Sequence, residues 1–232
     1  MTPASAGQSD FEGVIVNKPW GYEYLMYQNG AVGLWYLSIR HGARTSLHCH
    51  PRKKTGLVLL DGEAVVQFLN DSMPLKPLGK LMIRPGLFHS TTAVSPEGIA
   101  LIEIENPCDK TNLVRLEDEY DRQEKPYEGA EALAPLHEAC VRFEEPEAGR
   151  PRRYTLHSCL FSVERIEDAA GLRERDLREV IVVLDGGLAS KSGEPVLSPG
   201  DVVSASTSAR LAQTFAAPRG VSFVSIRTLS DA

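Results

Sequence analysis

The amino-acid sequence predicts an all-β fold, built as antiparallel barrels or sandwiches in two halves. Three observations predict it. Short β-type runs recur at regular spacing with turn residues between them. A strand ending in Leu-Asp-Gly occurs twice, as "VLLDGE" near residue 60 and "VVLDGG" near 185. Two histidines, His48 and His50, alternate on one β-type run, with His89 following a Pro-Gly turn.

In chain order, residues 1–16 carry no basic-then-apolar leader and read as a disordered tail. The first half follows over 17–122, with the runs "LWYLSI" 34–39, "GLVLL" 56–60, "AVVQFL" 64–69, "KLMIR" 80–84 and "IALIEIE" 99–105. An acidic, Pro-flanked stretch over 116–153 reads as a linker centred on 123–152, helical around 129–142. The second half, 153–232, resumes with "RYTLHSCLF", "REVIVVLDG", "GDVVSAS" and "GVSFVSIR", a smaller copy of the first.

A net charge of −6 and a pI near 5.6 argue against nucleic acid and polybasic membrane surfaces as partners. No apolar run is long enough to span a bilayer. Cys49, Cys108, Cys140 and Cys159 lack metal or redox spacing and are expected as reduced thiols in a cytoplasmic protein.

Alternate residues of a strand share a face, so His48 and His50 point together and Cys49 points away. With His89 they make three neutral nitrogen ligands with open positions beside them. Such a set suits one divalent transition metal: zinc, iron, nickel or copper rather than magnesium or calcium. Arg44 shares the parity of His48 and His50, and is expected to meet an anion inside the barrel or to stay in its turn. Glu103 and Glu105 alternate with Ile102 and Ile104, so one face of that strand is acidic. Glu103 is assigned as the general base if that face lines the barrel, and Glu105 is placed toward solvent. Lys53 and Lys54 read as solvated loop charges, Trp20 and Trp35 as packing residues. His41, His137 and His157 receive no role.

These motifs resemble the cupin superfamily. Gly42, His48, His50, Thr55 and Gly62 match the spacing of its first motif, and Pro85, Gly86 and His89 that of its second. The resemblance implies a double-stranded β-helix or jelly-roll barrel, here a bicupin whose C-terminal half is degenerate. It implies His48, His50 and His89 as metal ligands, and an acid where this chain has Thr55. Over 17–122 the motifs "NKPWGYEYL", "GARTSLHCH", "IRPGLFH", "LIEIE" and "NLVRLEDEYDR" are similar to the cupin domain of type II mannose-6-phosphate isomerases. His48 and Thr55 depart from the residues usual there.

With Thr55 at the acid position, the site is expected to carry one extra positive charge and to favour a small anionic substrate. Arg44 and Thr55 are assigned to substrate contact, and Glu103 with Arg44 to catalysis. In the second half, alignment on the repeated turn puts Leu172 and Glu174 at the histidine positions, so that half is expected to be structural. The resemblance further implies a homodimer. Three functions follow: a metal-dependent isomerase or epimerase of a phosphorylated or nucleotide-linked sugar, a three-histidine iron dioxygenase of a small organic acid, or a non-catalytic metabolite binder.

Overall fold

The computed structural model describes residues 11–229 other than Pro126. The chain is all-β, as its patterning requires. The first unit contains β1 (Val14–Lys18), β2 (Gly21–Gln28), β3 (Gly33–Ile39), β4 (Leu47–Cys49), β5 (Lys54–Asp61) and β6 (Ala64–Gln67). It continues with β7 (Ser72–Leu75), β8 (Lys80–Ile83), β9 (Ser90–Ala93), β10 (Ile99–Asn106), β11 (Val114–Glu117) and β12 (Leu133–Pro135). One sheet runs in the order β12-β1-β2-β3-β10-β5-β8. Facing it are β7-β6-β9 and the pair β11-β4, joined by backbone bridges between Arg44 and Thr92 and between His48 and His89. From β3 to β11 the chain passes back and forth between these two sheets, which is the winding of a double-stranded β-helix. Leu57, Leu59 and Trp35 of the first sheet pack inside against Ala64, Val66 and Ala93 of the second.

The second unit contains β13 (Arg152–Leu156), β14 (Cys159–Ile166), β15 (Val180–Gly186), β16 (Leu188–Ala189), β17 (Pro195–Leu197), β18 (Val202–Ser204) and β19 (Val221–Thr228). Its sheet runs β13-β14-β19-β15-β18, and among the described residues the hairpin β16-β17 is the one further strand pair. Helices α1 (Ala170–Arg173) and α2 (Ala205–Leu211) complete the enclosure, α2 being capped where Thr207 N donates to Ser204 Oγ at 3.1 Å. Ile181, Val183 and Phe223 form the interior with Leu172 and Ala205.

The two large sheets stack back to back. Met26, Leu34, Val58, Leu60, Ile102 and Ile104 meet Phe161, Val163, Val182, Val224 and Ile226 in one buried layer. This explains why "GLVLL" and "IVVL" read as continuous apolar runs: both faces of β5 and β15 are buried.

Two expectations about the chain's ends and middle change. Strand β1 begins at Val14, inside the stretch assigned to a tail, and Phe11 packs edge-on against Tyr127 with ring centroids 4.8 Å apart. The rest of that tail, residues 1–10, lies outside the described residues. The helix expected over 129–142 is a single 3-10 turn at Ala130–Ala132, after which β12 pairs with β1. Pro135 has no N–H to donate and is disfavoured inside a helix, but fits an edge strand. Further on, Phe143 enters the shared apolar layer and its N–H bonds Met26 O at 2.8 Å. The segment is a strap bound to the sheet. No described helix is long and apolar enough to cross a membrane, and all four cysteines are free thiols.

Candidate metal centre

β4 is bridged to the residue just before β9 at His48 and His89, whose backbones exchange N–H···O bonds of 3.0 and 2.8 Å. Directly opposite residues share a face, so the two rings lie together, their centroids 4.5 Å apart. His50, two residues on from His48, brings its ring centroid to 4.9 Å from that of His48. All three side chains are buried.

Each imidazole uses Nδ1 in the same way. His48 Nδ1 bonds Ser46 O at 2.7 Å, His50 Nδ1 bonds Asn112 O at 2.7 Å, and His89 Nδ1 bonds Leu87 O at 3.0 Å. A carbonyl only accepts, so the proton sits on Nδ1 and the Nε2 lone pair is left free. One ligand nitrogen from each ring lies within 4.8 Å of the others. His50 Nε2 is buried with no hydrogen-bond partner among the described residues. A buried polar atom without a partner is costly, and metal-ligating histidines ordinarily hold their other nitrogen on a carbonyl or carboxylate in this way. The donor set therefore fits a divalent transition metal. Burial, reinforced by the neighbouring imidazoles, pushes the His48 pKa well below its ordinary value. Burial also pushes His89 down, to about 4. Both shifts favour the neutral form of His48 and His89, the form that binds metal.

The acidic face of β10 lines the barrel. Glu103 stands opposite Leu57 and Trp35, and its Oε1 is 3.7 Å from His50 Nε2. Burial raises its pKa, but the charges around it, the Lys110 and Lys53 ammonium groups among them, hold the carboxyl well below the usual range. Glu105 is opposite Thr55 and fully enclosed, bound to Lys53 Nζ at 2.8 Å and Lys110 Nζ at 3.2 Å. Burial pushes the Glu105 pKa up too, and the same two lysines bring it below the ordinary value. The placement of Glu105 in solvent, and of Lys53 as a solvated charge, is therefore overturned. Both are about 1% exposed and neutralise one another. Lys54 instead reaches Asp201 of the second unit at 2.6 Å.

The expected extra positive charge has carboxylates from another strand beside it. The acid missing at position 55 is matched in space by two carboxylates, and Glu103 and Glu105 form with His50 a second group of close donors. Thr55 itself is fully buried in the β5 wall, its Oγ1 unpartnered, and does not line the cavity. Its assignment to substrate contact loses its geometric basis. Arg44 also leaves the site. Thr45 and Ser46 both line the cavity, so the alternation slips by one and Arg44 emerges on the outer surface, 2.9 Å from Glu119. Neither its catalytic nor its substrate-contact role has a geometric basis.

The cavity beside the histidines has a volume of about 60 Å³. Its far wall is a chain of ion pairs that residue spacing did not signal. Lys110 lies 3.2 Å from Glu23 and 3.8 Å over the Trp35 ring. Lys18 pairs with Glu128, and Tyr127 donates to Glu23. Arg122 binds Asp118 at 2.8 Å and Glu128 at 2.7 Å. Only the "NLVRLEDEYDR" run carried a signal for Asp118 and Arg122. Lys110, Tyr127 and Glu128 arrive because the chain after β10 folds back to meet Lys18 of β1 and Glu23 of β2.

The second unit has no such centre among the described residues. Leu172 lies in α1 and packs in the core, and Glu174 follows it, where the first unit has β4. Arg175 there donates to both oxygens of Glu164 at 2.8 Å, to Glu179 at 2.9 Å and to Ser225 at 2.9 Å.

No family model and no curated protein matches the chain. Solved structures do. A double-stranded β-helix protein from Klebsiella pneumoniae is 16% identical over 48% of this chain and 90% of its own, with a TM-score of 0.39. The capsular polysaccharide assembling protein CapF from Staphylococcus aureus is 14% identical over 45% of this chain and 34% of its own, at 0.40. A candidate sugar phosphate isomerase from Acidithiobacillus ferrooxidans is 20% identical over 33% of this chain, at 0.31, the match spanning half of that protein. At these identities and scores, the functional reading rests on the site itself.

Proposed function

We propose that this chain is a metal-dependent cupin enzyme that isomerises or epimerises a small anionic substrate, a phosphorylated or nucleotide-linked sugar. The observation that carries the metal reading is that one nitrogen from each of three imidazoles lies close to the others, each ring being fixed by a bond from Nδ1 to a carbonyl. When bound, zinc, iron or nickel would polarise a substrate carbonyl or hydroxyl.

The chain's own residues supply the rest. His48, His50 and His89 hold the ion. The reaction must move a proton, and Glu103 and Glu105 are the two carboxylates at hand. Lys53, Lys110, Lys18 and Arg122 are each paired with a carboxylate, so the wall is close to neutral before the ion binds. A divalent ion adds charge that an anion offsets. The ion pairs across the mouth keep water out and must part to admit a sugar.

The test uses protein purified without added metal, then supplied with zinc, nickel or iron and a panel of sugar phosphates and nucleotide sugars in deuterated water. Deuterium should enter the carbon beside the substrate carbonyl without oxygen uptake. Replacing His48 and His50 together with Ala should abolish metal binding while the barrel still folds. Full metal content in that variant would sink the reading. Oxygen uptake with iron would favour the dioxygenase suggested by the all-histidine set, and a metal-free protein the non-catalytic binder. Self-association as a homodimer belongs to the same proposal. Because the broad face of the first sheet is covered by the chain's own second unit, the pair would form through other surfaces, and a monomer mass by light scattering at micromolar protein would overturn it.

A further inference from the structure

The acid that the first histidine motif lacks at position 55 has two replacements in space, on the strand directly across from it. Glu105 is opposite Thr55 in the β5–β10 register, and Glu103 is two residues nearer the histidines. Their partners separate them. Glu105 Oε1 is claimed by two buried ammonium groups, Lys53 and Lys110. No lysine or arginine among the described residues forms an ion pair with Glu103, whose close donor neighbours are His50 and Glu105.

His50 is common to both groups of close donors, His48–His50–His89 and His50–Glu103–Glu105, so an ion at its Nε2 would sit between them. Two ligands each about 2.1 Å from one metal stand roughly 3.0–3.4 Å apart in octahedral or tetrahedral arrangement. Glu103 Oε1 and His50 Nε2 are 3.7 Å apart. A carboxylate accepting a hydrogen bond from His50 would need a proton on Nε2. That nitrogen has no hydrogen-bond partner, and the ring's proton is held at Nδ1 by Asn112 O. Two electron-rich atoms therefore face each other inside a closed, buried site. A cation between them removes the repulsion.

We propose that Glu103 is a protein ligand of the metal held by His48, His50 and His89, supplying from β10 the acid that position 55 does not. The proposal rests on the metal reading above. It takes Glu103 out of the free-base role that the sequence suggests, because a carboxylate on the ion is not free to take a proton. Glu105 is then the carboxylate left to move one. Its Oε2 is buried and unpartnered, while Lys53 and Lys110 secure Oε1.

The test is a calorimetric titration of zinc chloride into the full chain after chelator treatment, with no activity assay required. Glu103→Gln keeps the shape and removes the charge, and should weaken zinc binding by about 10- to 100-fold. Glu103→His returns a ligand atom and should recover zinc affinity to within about tenfold of the parent. Cobalt(II) absorption should shift between the parent and Glu103→Gln, since the band positions report the donor set. Parent-like zinc affinity in Glu103→Gln overturns the proposal alone and leaves Glu103 as a free base. If Glu103→Gln does not fold, the cobalt(II) spectrum of Glu103→His decides: bands shifted by an oxygen-to-nitrogen change of donor support the assignment, and parent-like bands overturn it. A parent protein that binds no zinc, nickel or iron overturns the metal reading, and this proposal with it.

Discussion

The two units reuse one local device and fill it differently. In each, a strand reaches Leu-Asp-Gly through a register shift, one residue being skipped just before Asp61 and before Asp185. In each, the glycine has positive φ, and a Cβ there would strike a carbonyl: Gly98 O at 2.6 Å from Gly62, and Gly220 O at 2.2 Å from Gly186. Counting back from these turns sets Leu57 level with Ile181 and Thr55 level with Glu179. Glu103, opposite Leu57, then corresponds to Ser225, opposite Ile181.

The occupants of that slot differ. In the second unit Ser225, Glu164 and Glu179 are all bound by the Arg175 guanidinium, so the polar groups satisfy one another. In the first, Glu103 faces an imidazole nitrogen that has no partner. Buried polar atoms that satisfy one another stabilise a fold, whereas orphaned ones around a cavity wait for a ligand. On that criterion the first unit holds a site and the second a plug.

Four measurements bear on this contrast, from the largest expected effect to the smallest. Phe161→Ala in the shared layer should cost about 3–5 kcal/mol and leave one cooperative unfolding transition in denaturant. Two separate transitions would show that the units are independent, and the comparison would become one of two domains.

Acid comes next. In the metal-free chain the folded-state pKa of His89 is near 4, below its ordinary 6.5. The unfolded chain therefore binds this proton first. Stability is complete above about pH 6.5 and falls toward pH 4, by at most about 3 kcal/mol for this residue. His48 and the depressed carboxyls of Glu103 and Glu105 act in the same direction, the carboxyls being lost at lower pH. Melting curves at pH 7 and pH 5 should differ at least as much after zinc is added as before, because the ion competes with protons for the same imidazoles, and a smaller difference with zinc would contradict the assignment.

Arg175→Ala should destabilise by about 2 kcal/mol, through two carboxylates left without their partner. Zinc affinity should stay within twofold of the parent, which separates plug from site. A large loss of zinc binding would mean that the second unit holds the first in shape through this cluster. Last, Arg44→Ala removes a surface pair with Glu119, and should change stability by less than about 0.5 kcal/mol with metal affinity intact.

Much of this was legible in the linear chain. Strand and turn patterning gave the all-β class, because alternation and Gly-rich turns are local properties. The shared face of His48 and His50, and the Pro-Gly turn before His89, likewise need only neighbouring residues. Parity alone misled at Arg44, since the slip at Thr45–Ser46 depends on how residues 44–48 bridge to residues 89–92. It was silent on which side of β10 was wet, because alternation gives two faces and does not say which is covered.

What the sequence by itself determined about this protein, then, was the strands, the repeated Asp-Gly turn and a three-histidine set. Only the tertiary structure decided that Glu105 and Lys53 are buried partners, that Glu103 faces His50, and that Lys110, Lys18 and Arg122 close the mouth. It also decided that the second sheet covers the first. The physical reason is range: an alternating pattern is written in adjacent residues, whereas an ion pair across a barrel depends on registers between strands dozens of residues apart, which folding alone brings level.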